Sequence, residues 1–365
     1  MSHTLAIDGG QPLRSTPYPT WPQWGAEEER AVLDVLHSGR WWAPEGTQVT
    51  GLESEFAAYH DARHGVAVTN GSAALEVCLM AAGLGWGDEV ITTPYTFIAT
   101  ASAVLRVGAT PVFVDVDDNW CMDHRRIRAA ITPRTKAIMP VHLFGQCADM
   151  DAIMSIAKKH NLKVIEDNAQ GVGSTWGGKM SCSFGDIGTL SFFPSKNLGA
   201  FGDGGLIATD DDAVADLARM LRAHGSKKKY HNEVLGYNSR LDAMQAAFLR
   251  VKLPHIDLWN ARRRGAAERY GRLFEAVDGV KAPEVMDGHV FHQYTIRLEG
   301  VARDAVQQAL TQAGISTMVY YPVPQHRLPG GSSMPRPCAS GCSRHSARCI
   351  CTMSSQRSNL KPTAS

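Results

Sequence analysis

Gly65-Val-Ala-Val-Thr69-Asn-Gly-Ser72-Ala-Ala-Leu-Glu-Val-Cys-Leu-Met-Ala-Ala82 reads as a short strand that turns straight into a helix. The run 65–69 is apolar and rich in β-branched residues, Asn70-Gly71 breaks it, and 72–82 is an apolar stretch of helix formers. The unit then recurs. Glu89-Val-Ile-Thr-Thr93 is the next strand and 97–107 the helix after it, and further strands fall at 110–115, 137–141 and 163–167. Short strands alternating with helices over about 60–210 predict an α/β fold, a three-layer sandwich around a mostly parallel central sheet. Gly188-Thr-Leu-Ser-Phe192 and Gly205-Leu-Ile-Ala-Thr209 add two more strands. Helices dominate from 211 to about 277, with a clear apolar face over 242–253. Strands at 293–298 and 317–320 with a helix at 302–313 then suggest a smaller α+β part.

The 365-residue chain is 44% hydrophobic and 20% charged, an ordinary globular balance that allows two domains or one large one. A net charge of +1 supplies no field for nucleic acid or an anionic membrane. The opening residues 1–10 lack the regions of a signal peptide, and no apolar run reaches spanning length, so a cytoplasmic protein is expected. Cys78, Cys121, Cys147 and Cys182 are scattered singly, as free thiols would be. Cys338, Cys342, Cys349 and Cys351 crowd the end with His345, in a spacing that matches no paired Cys-x-x-Cys site, and no metal is expected. The last 37 positions, Pro329 to Ser365, contain no Asp or Glu and show no apolar periodicity. They are expected to be disordered or non-native, either a natural tail or the product of a shifted reading frame.

One lysine stands out chemically. Ser191-Phe-Phe-Pro-Ser-Lys196-Asn-Leu-Gly-Ala-Phe-Gly-Asp203-Gly-Gly205 places it between an apolar run and a glycine-rich loop. A partly desolvated lysine has a lowered pKa, and its free base can attack a carbonyl. Three strand ends supply possible partners, at the carboxyl edge where α/β sheets bind ligands. Thr69-Asn-Gly-Ser72-Ala73 opens a helix, where N–H groups and Ser72 suit a phosphate; alone it is equally a turn and N-cap. Glu166-Asp167-Asn-Ala-Gln170 ends a strand on a carboxylate, which alone is also an N-cap aspartate. Pro94-Tyr-Thr-Phe97 brings aromatic faces, which alone are core packing. Together with Lys196 they make a phosphate cradle, a flat aromatic, a carboxylate and an amine, the set that pyridoxal phosphate needs. No Walker A, G-x-G-x-x-G, G-x-S-x-G or H-E-x-x-H motif offers a rival chemistry.

Those motifs, with Gly202-Asp-Gly-Gly205 and Gly236-Tyr-Asn238-Ser-Arg240-Leu-Asp242, resemble the sugar aminotransferases of the DegT/DnrJ/EryC1/StrS group. These are fold-type I, aspartate aminotransferase-like enzymes that act on nucleotide-linked keto sugars in amino-sugar biosynthesis. The resemblance runs from about Trp21 to His326. It implies an N-terminal arm at 1–25, a cofactor-binding large domain at 26–253 and an incomplete small domain at 254–328, with the 329–365 tail replacing the family's closing helix and strand. It implies that Lys196 holds pyridoxal 5′-phosphate as a Schiff base and carries protons. Asp167 would pair with the ring nitrogen, Gln170 reach the ring hydroxyl and Phe97 stack on the ring. Ser72, the Ala73 amide and Ser191 would bind the phosphate. Asn238 would reach it from a neighbouring subunit, so a homodimer with shared sites is implied. Tyr321 and His326 would lie near the sugar nucleotide, and glutamate would be the amino donor. The stretches 224–231 and 236–240 look most like 3-keto rather than 4-keto enzymes. Relatives with histidine at the lysine position are dehydratases, and Lys196 favours amino transfer. A cofactor-dependent sugar dehydratase stays an alternative, as does an inactive or regulatory cofactor-binding homologue with an altered C-terminus.

Overall fold

The computed structural model describes residues 21–42, 46–329 and 349–352. A seven-stranded sheet organises most of them. Its strands are β1 His64–Val68, β2 Glu89–Thr92, β3 Thr110–Phe113, β4 Thr135–Ile138, β5 Lys163–Asp167, β6 Ile187–Ser191 and β7 Gly205–Thr209, in the order β1-β7-β6-β5-β4-β2-β3. Only β7 runs against its neighbours; the other adjacent pairs are parallel. The sheet is therefore mostly parallel, and its strands end in carboxyl edges on one side of the molecule.

Both faces are covered, and the alternation of side chains along each strand sorts them. Val66, Val68, Ile165 and Ile207 pack under α3 (Gly71–Ala81), α4 (Ala99–Arg106) and α7 (Asp212–Leu221). Ala67, Leu190, Leu206 and Ala208 face α2 (Thr47–Tyr59) and α8 (Ala243–Lys252). Ile91, Ile138 and Val164 face α5 (His124–Ala130) and α6 (Met150–His160). Asn70, Asp123, Asp149, Asp211 and Asp242 each cap the helix that follows by accepting a first-turn N–H, worth about 1 kcal/mol apiece. The long α9 (Ile256–Phe274) then leads to a second sheet.

That sheet contains β8 Val280–Lys281, β9 Tyr294–Leu298, β10 Thr317–Met318 and β11 Cys349–Thr352, in the order β8-β9-β11-β10 with every pair antiparallel. Tyr294, Ile296 and Leu298 turn into a separate core with Ala267 and Phe291. α10 (Arg303–Gln312) precedes β10. Of the tail expected to be disordered or non-native, Cys349–Thr352 is ordered as β11: its backbone pairs with β9 on one side and β10 on the other. The gain is in main-chain hydrogen bonds, which any composition supplies and which apolar periodicity does not report. Positions 330–348 and 353–365 lie outside the described residues, as does most of the expected N-terminal arm.

Buried histidines make the fold acid-sensitive. His60 donates from Nδ1 to the Ser181 carbonyl at 2.8 Å, and burial pushes its pKa down to about 4. Burial likewise pushes His289 down to about 3. The unfolded chain binds protons at these positions near pH 6.5 and the folded chain does not, so stability is full above that pH and falls below it. We expect each histidine to raise the unfolding constant about tenfold per pH unit from 6.5 down towards its folded pKa. Denaturant titrations between pH 7 and 4 check this; a flat midpoint would contradict it.

Candidate active site

The carboxyl ends of β1, β5 and β6 and the loop after β2 bring the expected residues to one side of the sheet. Asp167 closes β5 and is buried. Its Oδ2 accepts from the Thr100 hydroxyl at 2.8 Å and its Oδ1 from the Ala169 N–H at 3.2 Å. Burial raises its pKa, against those two hydrogen bonds and the charge of Lys196. Lys196 is half-buried, and burial of its amine lowers the pKa to about 8 while Asp167 opposes the shift. Amine and carboxylate therefore feel each other, and a fraction of the amine is free base near neutrality.

Beneath Asp167 lies a pair that the sequence reading missed. Glu166, its chain neighbour, points the other way and is fully buried. It accepts from His142 Nε2 at 2.9 Å and from the amides of Cys182, Phe184 and Gly185 at 2.8, 3.0 and 2.8 Å. Burial pushes the Glu166 carboxyl up, but these bonds outweigh it and hold the pKa below the usual range. His142 Nδ1 accepts from the Ala148 N–H at 3.2 Å, which leaves the proton on Nε2. The His142 N–H donates to the Asp167 carbonyl, and the Asp167 N–H to the Pro140 carbonyl. Asp167 is thus fixed through its main chain and by Thr100. Adjacent carboxylates were visible in the sequence; Thr100 and His142, far off in the chain, carried no local signal.

The helix N-terminus of the site is built by close approach. A Cβ on Gly71 would lie 2.7 Å from the Ser191 Cβ, so only glycine lets β6 and α3 meet there. A Cβ on Gly205 would lie 2.5 Å from the Asn70 carbonyl carbon. Ser72 and Ser191, both half-buried, consequently share this corner. The first N–H groups of α3 have no acceptor within their helix, a fitting seat for an anion. The Ala73 amide donates to Asn70 Oδ1 at 2.9 Å as a capping bond. Ser72, Ser191 and the Ala73 amide, the residues expected at a phosphate, all belong to this turn into α3 or to the strand end that packs on it.

Gln170 is buried, accepts from the Phe144 N–H at 2.7 Å and donates to the Tyr321 hydroxyl at 3.1 Å. Tyr321 in turn donates its N–H to the Tyr95 hydroxyl at 3.1 Å. Phe97 is 57% exposed, its ring open to a ligand. Its loop is strapped by Gln325, whose Nε2 donates to the carbonyls of Thr96 and Phe97 at 3.0 and 2.7 Å and whose N–H reaches Pro94. Trp21 Nε1 donates to the Lys196 carbonyl at 3.3 Å. His326 stands apart from this group, half-buried with its ring 6.3 Å from that of Phe113. Asn238 is exposed, next to Ser239, whose carbonyl accepts from the Thr69 N–H.

An amine poised near neutrality, a buried carboxylate and a helix N-terminus with two hydroxyls fit an aldehyde cofactor that carries a ring nitrogen and a phosphate. Comparison with known proteins agrees. The pattern of the DegT/DnrJ/EryC1/StrS aminotransferase family matches residues 22–340. The UDP-N-acetyl-3-dehydro-alpha-D-glucosamine 3-aminotransferase of Acidithiobacillus ferrooxidans is 54% identical over 77% of this chain and 76% of its own. A Geobacillus stearothermophilus protein described as a pleiotropic regulatory protein is 52% identical over 84% of this chain and 82% of its own. The crystal structure of S. venezuelae DesV in complex with a ketimine intermediate has a TM-score of 0.85 and 41% identity, covering 90% of this chain and 88% of that one.

Proposed function

This chain belongs to the DegT/DnrJ/EryC1/StrS aminotransferase family, a family of pyridoxal phosphate-dependent transaminases, and we propose that it transfers the amino group of L-glutamate to carbon 3 of a nucleotide-linked keto sugar. One observation carries the reading: the amine of Lys196, lowered to about 8 by burial, is electrically coupled to the buried Asp167 at the carboxyl edge of the sheet.

When bound, pyridoxal phosphate supplies the electron sink through which nitrogen passes between donor and acceptor. The chain's own residues do the rest. Lys196 would hold the cofactor through its amine and would carry protons to and from the reacting carbon, a role suited to a group titrating near neutrality. Asp167 would keep a proton on the cofactor's ring nitrogen. Thr100 and the backbone contacts from His142 and Pro140 fix its direction. Ser72, Ser191 and the Ala73 amide would hold the phosphate at the start of α3. Gln170, oriented by the Phe144 N–H and Tyr321, meets the ring hydroxyl. Phe97 covers a ring face, Tyr321 and His326 line the approach of the sugar nucleotide, and Asn238 serves a second copy in a homodimer. The division into an arm at 1–25, a cofactor-binding part at 26–253, a smaller part at 254–328 and a tail belongs to the same proposal; the two separate sheets and cores support it.

Carbon 3 rests on the stretches 224–231 and 236–240 and on the 3-amino transfer named for the A. ferrooxidans relative. The test is a purified protein given pyridoxal phosphate, ¹⁵N-glutamate and matched 3-keto and 4-keto UDP-sugars, with the product's nitrogen located by NMR. Nitrogen on carbon 3 with release of 2-oxoglutarate is expected. Nitrogen on carbon 4 would overturn the regiochemistry, and a deoxygenated product without nitrogen would overturn amino transfer. The description of the G. stearothermophilus relative favours a second reading, a cofactor-binding regulator. Cofactor binding without turnover on either sugar would support it.

A further inference from the structure

The turn that carries Lys196 is tied down from outside. Its next residue, Asn197, is buried and reaches across to α9 and to the segment that leads into β9. Asn197 Nδ2 donates to Asn260 Oδ1 at 2.8 Å and to the Val290 carbonyl at 3.3 Å. Asn260, on α9, donates its own Nδ2 to the Val172 carbonyl at 3.0 Å. Backbone carbonyls only accept, so both amides are fixed in orientation and Asn197 Oδ1 is left as an acceptor. His292 Nδ1 lies 3.1 Å from it and therefore carries the ring proton. Burial keeps this ring neutral, and the charges of Lys196 and Arg263 push the same way. A neutral imidazole is thus the donor that completes the tie.

The segment that delivers His292 is irregular, buried and held from both sides. Residues 290–293 lie between β8 and β9 in neither helix nor strand. The N–H groups of Val290 and Gln293 donate to the carbonyls of Gly145 and Phe144 at 3.0 and 3.4 Å. The carbonyls of Phe291 and His292 each accept from Arg263 Nη1 at 3.4 Å. Phe291, fully buried, holds φ at 46°, a left-handed value that is costly for a phenylalanine. Such strain persists only where the surroundings over-determine it. Here they hold two parts of the site at once. Phe144, which accepts from Gln293, orients Gln170 through its own N–H, and His292 holds Asn197 beside Lys196. A satisfied network of buried polar side chains specifies one arrangement where apolar ones would tolerate several.

We propose that His292 and Asn197 are positioning residues for the Lys196 amine: the His292 N–H holds the Asn197 side chain, and Asn197 holds the turn from which the amine projects. The proposal rests on the reading of Lys196 as the group that captures pyridoxal phosphate.

The experiment times cofactor capture by the full-length protein freed of cofactor. The amine condenses with the aldehyde of added pyridoxal phosphate and releases water. Borohydride then delivers hydride to the new carbon–nitrogen bond, and mass spectrometry locates and counts the adduct. His292→Leu and Asn197→Ala should each slow capture at Lys196 about 10–100-fold. His292→Asn sets an amide N–H where the ring N–H stood and should recover most of the rate. The pH midpoint of capture, about 8 in the wild type, should move up in His292→Leu, because a loosened turn lets water reach the amine. Asp167, the charge that bears on Lys196, stays in place, so the shift reports hydration. Ile296→Val, a small loss in the second core, should lower the melting temperature and leave rate and midpoint unchanged. A wild type with no adduct on Lys196 would overturn the reading of that lysine and this proposal with it. Adduct on Lys196 at wild-type rate and midpoint in both His292→Leu and Asn197→Ala would overturn the positioning alone. So would His292→Asn behaving like His292→Leu, because the donated bond would then not be what acts.

Discussion

Replacing Lys196 with alanine is expected to abolish amino transfer, lowering turnover on the order of 10⁴-fold. The amine is the group assigned both to anchor the cofactor and to move protons, and no neighbour can stand in for it. His292 feels the charge of Lys196, but burial, together with the charges of Lys196 and Arg263, drives its pKa well below the usual histidine range. Its Nδ1 is engaged with Asn197 Oδ1 at 3.1 Å. The fold should survive, because the change removes a desolvated amine that makes no side-chain hydrogen bond or ion pair among the described residues. The check is the visible spectrum of purified protein with pyridoxal phosphate, before and after glutamate, together with turnover. The variant should show the spectrum of the free cofactor and no response to glutamate. A variant that retains the wild-type band and turnover would remove Lys196 from the mechanism.

Asp167→Asn should cost on the order of 10²–10³-fold in turnover while leaving the anchoring amine in place. The substitution keeps the shape and the hydrogen bond from Thr100 but removes the charge proposed to keep a proton on the cofactor's ring nitrogen. Asp167 also opposes the lowering of the Lys196 pKa, so without it that pKa should fall further. The two effects separate experimentally. Turnover reports the lost charge, and the pH dependence of cofactor capture reports the shifted amine, with uptake reaching its plateau at a lower pH than in the wild type. A fall in turnover with an unmoved pH profile would mean that the carboxylate and the amine do not communicate.

Much of this was legible in the chain because it is local. Every strand of the large sheet announced itself as a short β-branched run, and the structure moved their ends by only a few residues, as at Thr135–Ile138 for the expected 137–141. Lys196 and Asp167 stood out because their types and settings are unusual over a few positions, whereas Gln170 was singled out only by the family resemblance. Less visible was everything that depends on distant partners. The reversed direction of β7 is set by its pairing with β1 and β6, and Gly205-Leu-Ile-Ala-Thr209 would read the same either way. The capping bond from the Ala73 amide to Asn70, three residues earlier, depends on how the turn is closed, which the motif alone does not report. Thr100 looked like one more helix residue, and only the fold brings it against Asp167.

The position of β11 sets an order of events as the protein is made. It lies between β9 and β10, yet it is synthesised after both. A nascent chain that has finished β10 cannot zip the second sheet, because the strand that joins its halves does not yet exist. The inner edge of β9 then waits with its backbone groups unpaired, an edge on which another nascent chain could pair. The large sheet waits in the same way for β7, which joins β1 to β6 and is made after both, but β7 precedes α8 and α9 in the chain. Synthesis thus completes the half that carries Lys196 first, and the half that carries Gln325 and the Phe97 strap only at the finish.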